Sequence, residues 1–171
     1  LAGQNRMELL LFRLGGRQRY GINVFKVREV IECPPLRQVP NTHRSMRGMT
    51  TLRGKTIPVV DLPQVMGLKA VDSTRGSYLI VTEFNRSVQA LMVQGVDRIV
   101  NLRWEQVMAP PSVGNKGYLT AVTRIDDELV EILDVEKVLM EVSPLRMTQT
   151  ASEEIIASVA DQKPDKVLPV L

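Results

Sequence analysis

The stretch RGMTTLRGKTIPVVDL (Arg47–Leu62) contains Gly54-Lys55-Thr56, the closing letters of a phosphate-binding loop. That loop needs Gly, four residues, then Gly-Lys-Ser/Thr, set between a strand and a helix. Here the five residues Met49 to Arg53 separate Gly48 from Gly54, so Arg53 stands where a glycine belongs. The residues that follow, Thr56-Ile57-Pro58-Val59-Val60, are β-branched and carry a proline, which suits a strand and breaks the first turns of a helix. The stretch therefore reads as a hairpin, Met49–Leu52 against Thr56–Asp61, folded about Arg53-Gly54-Lys55. Gly54 supplies the positive φ of the turn. Pro58 places an unpaired position in the second strand, at an edge or a bulge. Leu62 to Leu68 reads as a short helix closed by Gly67.

Working outward, the same signals recur. Glu8–Leu14 and Gln18–Val24 form a hairpin through Gly15-Gly16. Phe25–Glu32 fits either helical or extended spacing and ends at Pro34-Pro35. Asn41 to Arg47 reads as a loop with one helical turn. Tyr78–Phe84 and Arg86–Val93 pair about Asn85, and Gly95–Leu102 is a further strand. Trp104–Lys116 is loop-like. Tyr118–Ile125 and Glu128–Leu133 pair about Asp126-Asp127, and Asp134 caps a helix to Glu141. Regular hairpins at this spacing predict an all-β, barrel-forming chain. "IPVVDL" (57–62) and "VEILDV" (130–135) echo one another, each a β-branched run meeting an aspartate and a short helix, which suggests two similar lobes.

The 171 residues, 44% of them apolar, suffice for one sizeable core. The lone Cys33 forbids an internal disulfide and fits a reducing compartment, so the cytoplasm is expected. No apolar run reaches the length of a membrane span. The net charge of +3 hides a segregation. No acidic residue falls between Cys33 and Val60, where Arg37, Arg44, Arg47, Arg53 and Lys55 lie, whereas Asp126–Glu141 is strongly acidic. Such runs are ordinarily solvated faces; a basic surface for an acidic partner is the sharper reading. A nucleic-acid-binding β-barrel using the basic 33–60 stretch is therefore the alternative, although aromatics make up only 4% and stacking platforms are few.

No catalytic constellation emerges. Cys33 and the single His43 read as a core thiol and a solvated imidazole rather than a nucleophilic pair. One histidine and one cysteine do not make a zinc site. Asp126-Asp127 reads as a solvated hairpin tip without the desolvation that acid–base chemistry needs. No cofactor or metal is expected. Arg53, at a hairpin tip, is suited to a bidentate carboxylate contact.

Tyr20 to Leu68 as a whole resembles the CheW-like domain of bacterial chemotaxis. Its landmarks are Tyr20-Gly21-Ile22, Val27-Arg28-Glu29-Val30, Val39-Pro40-Asn41, Arg47-Gly48, Leu52-Arg53-Gly54 and Ile57-Pro58-Val59-Val60-Asp61-Leu62. The likeness continues less closely to about Glu141. The opening Met7–Leu14 and the long tail are most similar to the CheV branch, in which a CheW-like domain precedes a receiver domain. The resemblance implies two intertwined, small, five-stranded SH3-like β-barrels with short helices and a C-terminal helix. It implies a CheW-like domain at 1–143, a linker at 144–166 and the possible start of a truncated receiver at 167–171. It further implies a non-enzymatic adaptor linking chemoreceptor signalling tips to the histidine kinase CheA. Such an adaptor sits in the cytoplasm at receptor arrays, without nucleic acid and without direct membrane insertion. Receptor contacts are carried over to Val27, Glu29, Arg47 and Arg53, with Gly54 as the structural turn. Thr51 departs from the family's usual Asn-Leu-Arg-Gly.

Overall fold

The computed structural model describes residues 5–40, 42–110 and 117–142. The linker expected at 144–166 and the receiver start expected at 167–171 lie outside the described residues, as does Asn41.

The first hairpin pairs β1 (Arg6–Arg13) with β2 (Arg19–Asn23). A 3-10 turn (Val24–Lys26), capped by the Asn23 side chain, leads to β3 (Val27–Glu32), so the ambiguous 25–32 stretch is extended from Val27 onward, with Phe25 and Lys26 in the turn before it. Next come β4 (Met46–Leu52), β5 (Lys55–Asp61) and the short helix α1 (Leu62–Val65). The helical turn expected before Arg47 is instead a simple turn at Arg44-Ser45, and β4 begins at Met46. β6 (Tyr78–Phe84), β7 (Ser87–Val93) and β8 (Gly95–Arg103) follow. The loop expected from Trp104 opens with a 3-10 turn (Trp104–Gln106) and a two-residue strand, β9 (Val107–Met108). β10 (Leu119–Ile125), β11 (Glu128–Leu133) and α2 (Val135–Glu141) complete the described chain.

The strands form two sheets of the same design, ordered β8-β1-β2-β11-β10-β9 and β3-β6-β7-β5-β4. Each is built on an antiparallel hairpin (β1–β2, β6–β7) whose second strand takes a parallel partner (β11, β5). The echo of IPVVDL and VEILDV is thus a structural repeat: each marks that parallel strand and the helix after it. β9 gives the first sheet one strand beyond the expected five. The lobes are intertwined because β3, which follows the first hairpin, pairs with β6, while β8, which follows the second, pairs with β1.

This crossing explains the sequence of β1. Leu9 and Leu11 face a core inside the first lobe, whereas Leu10 and Phe12 face a larger core between the lobes. A strand buried on both sides needs an unbroken apolar run. β7 is shared in the same way, with Ala90 and Met92 in the second lobe's core and Leu91 and Val93 between the lobes.

Three hairpins turn through two residues that both have positive φ: Arg53-Gly54 (52°, 77°), Asn85-Arg86 (49°, 63°) and Asp126-Asp127 (52°, 61°). This geometry matches the right-handed twist of the flanking strands. A Cβ added at Gly54 meets nothing within 4 Å. Gly54→Val is therefore expected to lose only the backbone preference, about 1–2 kcal/mol, read as a lowered urea midpoint; an unchanged midpoint would overturn the turn assignment. Pro58 is not on an edge strand, but β7 pairs with β5 only from Val59 onward, so its missing N–H falls just before the parallel ladder begins.

Candidate functional site

β3 and β4 are the two end strands of the second sheet. The turn after β4 carries Arg53 back to β3, where its Nε and Nη2 donate to the two Glu29 carboxylate oxygens at 3.2 and 3.0 Å. An ion pair thus bridges the ends of the sheet. Arg53 is 79% exposed and Glu29 25%, so the pair stands at the surface with the carboxylate the more sheltered partner. Together with Arg28, Lys55, Leu52, Ile57, Val81 and Val88 it surrounds an open recess of about 310 Å³ at the lobe's mouth. Arg28 reaches Glu83 at 3.3 Å.

The hydrogen bonds from Arg53 hold the Glu29 carboxyl below its ordinary value, against a smaller upward push from burial. A lowered folded-state value means that the pair's contribution is present above the usual carboxylate range and is lost as pH falls through the Glu29 value. In an NMR titration Glu29 is expected to protonate below the ordinary glutamate range, and Arg53→Gln should return it upward; an unshifted Glu29 in both proteins would mean that the pair does not persist in solution.

Val27 and Glu29 do not act on one side. A register shift between them throws Arg28 into a bulge. Val27 opposes Thr82 and packs on the core between the lobes, whereas Glu29 opposes Val81, which belongs to the second lobe's own core. Arg47 takes a different partner: its Nη1 lies 3.5 Å from Oδ2 of Asp61, which is completely buried. Thr51, where the family has asparagine, is exposed on β4. Of the four expected contact residues, the fold brings Glu29 and Arg53 together, sets Val27 on the other side of β3 and ties Arg47 to the core.

The first lobe repeats the arrangement with the charges reversed. Arg98 on its end strand β8 donates to Asp126 in the β10–β11 turn at 2.7 Å. Beneath them Arg19, 4% exposed, lies 3.3 Å from Asp97, 3.4 Å from Asp126 and 3.2 Å from Glu128 and donates to the Ile125 carbonyl at 2.9 Å. The hydrogen bond from Arg98 holds the Asp126 carboxyl below its ordinary value. Asp126 is therefore paired rather than merely solvated, and the sequence reading missed this cluster. The only signal for it was an arginine in the first hairpin lying about a hundred residues from its acidic partners, which becomes legible once β2 is placed beside β11.

Cys33 is half-buried against the second lobe's core, and burial pushes its thiol up. His43 is exposed and accepts from the Ser45 N–H. No hydrogen bond joins the two among the described residues, and no cluster of His, Cys, Asp or Glu there has the spacing to hold a metal ion.

Comparison with known proteins matches the CheW-like domain to residues 8–143. The chemotaxis protein CheV2 of Helicobacter pylori is 32% identical over 93% of this chain, which spans 57% of that protein's length. The chemotaxis protein CheW of Klebsiella aerogenes is 30% identical, over 81% of this chain and 86% of its own. The crystal structure of the scaffolding protein TtCheW from Thermoanaerobacter tengcongensis shares the fold, with a TM-score of 0.70 over 78% of this chain and 87% of that one, at 24% identity. With the family's domain matched over residues 8–143, this chain belongs to the CheW-like domain family of bacterial chemotaxis.

Proposed function

We propose that this protein is a non-enzymatic adaptor of chemotaxis that couples the cytoplasmic tips of chemoreceptors to the histidine kinase CheA. The observation that carries the reading is the family match over residues 8–143, nearly the whole of the described chain. Relatives bearing the names CheW and CheV, and a neighbour in fold described as a scaffolding protein, support it. Among the described residues no helix is long and apolar enough to cross a membrane. The adaptor works at the cytoplasmic face of receptor arrays, held there by its partners.

Its mechanism is capture of a receptor helix by the edge and groove around β3. Half-buried Val27 offers apolar contact, and Arg53 with Glu29 offers a charged, directional contact. Arg47 contributes by shaping β4 as much as by touching the partner, since its charge faces Asp61. The nucleic-acid alternative draws less support: Arg47 and Arg53, two of the basic residues of the 33–60 stretch, already face carboxylates of the chain.

The test is binding of a purified chemoreceptor signalling-tip fragment to the wild type and to Arg53→Glu. Reversing the charge sets two carboxylates against each other and is expected to weaken tip binding by roughly tenfold or more while leaving the circular dichroism spectrum unchanged. Undiminished binding would move the interface away from Arg53. A salt-sensitive gel shift with random DNA, with no binding to tip or kinase, would favour the alternative instead.

A further inference from the structure

The core between the lobes is apolar along β6 and β7, where Ile80, Leu91 and Val93 face it. One step toward the Asn85-Arg86 turn the same face carries Thr82 and Gln89, directly opposed across the two strands. Both are buried, at 0% and 1% exposure. Thr82 places its hydroxyl on the Gln89 main-chain carbonyl at 3.4 Å. The Gln89 side chain differs: both Nε2 and Oε1 are shut away from the surface, and neither meets a hydrogen-bond partner among the described residues. A carboxamide carries two donors and an acceptor, and hiding them unpaired is costly, whereas an aliphatic side chain in this row would carry no such cost.

The amide's place in the fold suggests what it serves. Val27 opposes Thr82, and Thr82 opposes Gln89, so the three form one row across β3, β6 and β7. The row runs from the end strand of the sheet to the floor between the lobes. Val30, which opposes Ile80, lies on the same side of β3 and is 36% exposed. Val27 and Phe84, at the margin of this core, are only partly buried, and a group reaching the amide from the surface has to displace such marginal side chains.

We infer that Gln89 is a specificity-determining residue of the face between the lobes behind β3, pairing with an asparagine or glutamine side chain of the receptor segment that docks over Val27 and Val30. The partner's group is a carboxamide because a single planar amide offers an acceptor to Nε2 and a donor to Oε1 together. A carboxylate would satisfy only the donor and would bring a charge into an apolar core. This inference rests on the adaptor reading.

The test compares the wild type with Gln89→Leu and with Gln89→Met, the latter unbranched and adaptable should leucine disturb the packing. Both are probed for melting temperature and for binding to a purified chemoreceptor signalling-tip fragment. The expected result is a melting temperature at or above that of the wild type and about tenfold weaker tip binding, the worth of one buried hydrogen-bonded pair. Replacing the tip's asparagines and glutamines one at a time by leucine should then identify one residue whose loss costs nothing further in the Gln89 variants. Unchanged affinity would overturn the inference while leaving the adaptor reading intact. A lowered melting temperature with unchanged affinity would overturn it by assigning the amide a partner inside the fold. Weakened binding with no coupled tip amide would overturn the pairing. A wild-type protein that binds no tip would instead refute the adaptor reading, and this inference with it.

Discussion

Gly48→Ala is expected to destabilise the protein by about 3 kcal/mol, far more than its one added methyl group suggests. Gly48 sits at φ +147°, and a Cβ built there falls 2.6 Å from the Arg37 carbonyl oxygen and 3.1 Å from the Leu36 Cβ. That carbonyl is not free to withdraw. It accepts the Met49 N–H at 2.8 Å, and the Arg37 N–H in turn donates to the Met49 carbonyl at 2.8 Å. This two-bond bridge covers the outer edge of β4, an end strand that would otherwise present unpaired backbone. The methyl group must therefore break the bridge or bend β4, in addition to forcing an unfavourable φ. Chemical denaturation should show a lowered midpoint with an unchanged slope. A loss below about 1 kcal/mol, typical of an exposed site, would show that the Leu36–Arg37 segment yields. Gly54→Val is the contrast: there the φ is also positive, but the space is open.

Asp61→Ala is expected to cost about 3–5 kcal/mol, the range for breaking a buried charged network. Asp61 is completely buried at the junction of β5 and α1. One oxygen caps the helix by accepting the Gln64 N–H at 3.0 Å; the other accepts the Val71 N–H at 3.0 Å and lies 3.5 Å from Arg47. Alanine strands two N–H groups and removes the carboxylate that faces the Arg47 guanidinium. Asp134 makes the same kind of cap on α2, accepting the Lys137 N–H at 3.2 Å, but it is only half-buried. Asp134→Ala is accordingly expected to cost about 1 kcal/mol, an ordinary cap. Equal losses at the two positions, read by denaturant titration, would refute the claim that Asp61 anchors more than its helix. The same geometry bears on function. An Arg47 variant that loses receptor binding must be judged beside its stability, because removing the guanidinium leaves the buried Asp61 without its cation.

Much of the fold was legible because its signals are short-range. The turns at Arg53-Gly54, Asn85 and Asp126-Asp127, the aspartate cap at Asp134, and the alternating or doubly apolar strands between them all depend on neighbours a few residues away, whereas the Asp61 cap and the second turn residue, Arg86, came only with the structure. The family landmarks from Tyr20 to Leu68 likewise pointed to Arg53, Glu29 and Val27. What those residues do to one another was not legible. Spacing i to i+2 puts Val27 and Glu29 on one face of a regular strand, and the Arg28 bulge parts them. The echoing motifs gave no sign that one aspartate would be fully buried beside an arginine while its counterpart stayed half-buried.

The sequence by itself determined the hairpins, the short helices, the repeated pair of lobes and the family, because turn and cap chemistry and alternation act within a few residues. Only the tertiary structure decided that β3 and β8 exchange lobes, that Arg53 closes on Glu29 while Arg47 turns to Asp61, that Arg19 meets acids about a hundred residues away, and that Gln89 is buried without a partner. Each of these depends on which distant strands lie side by side, and that is settled by burying three apolar cores at once rather than by any local preference of the chain.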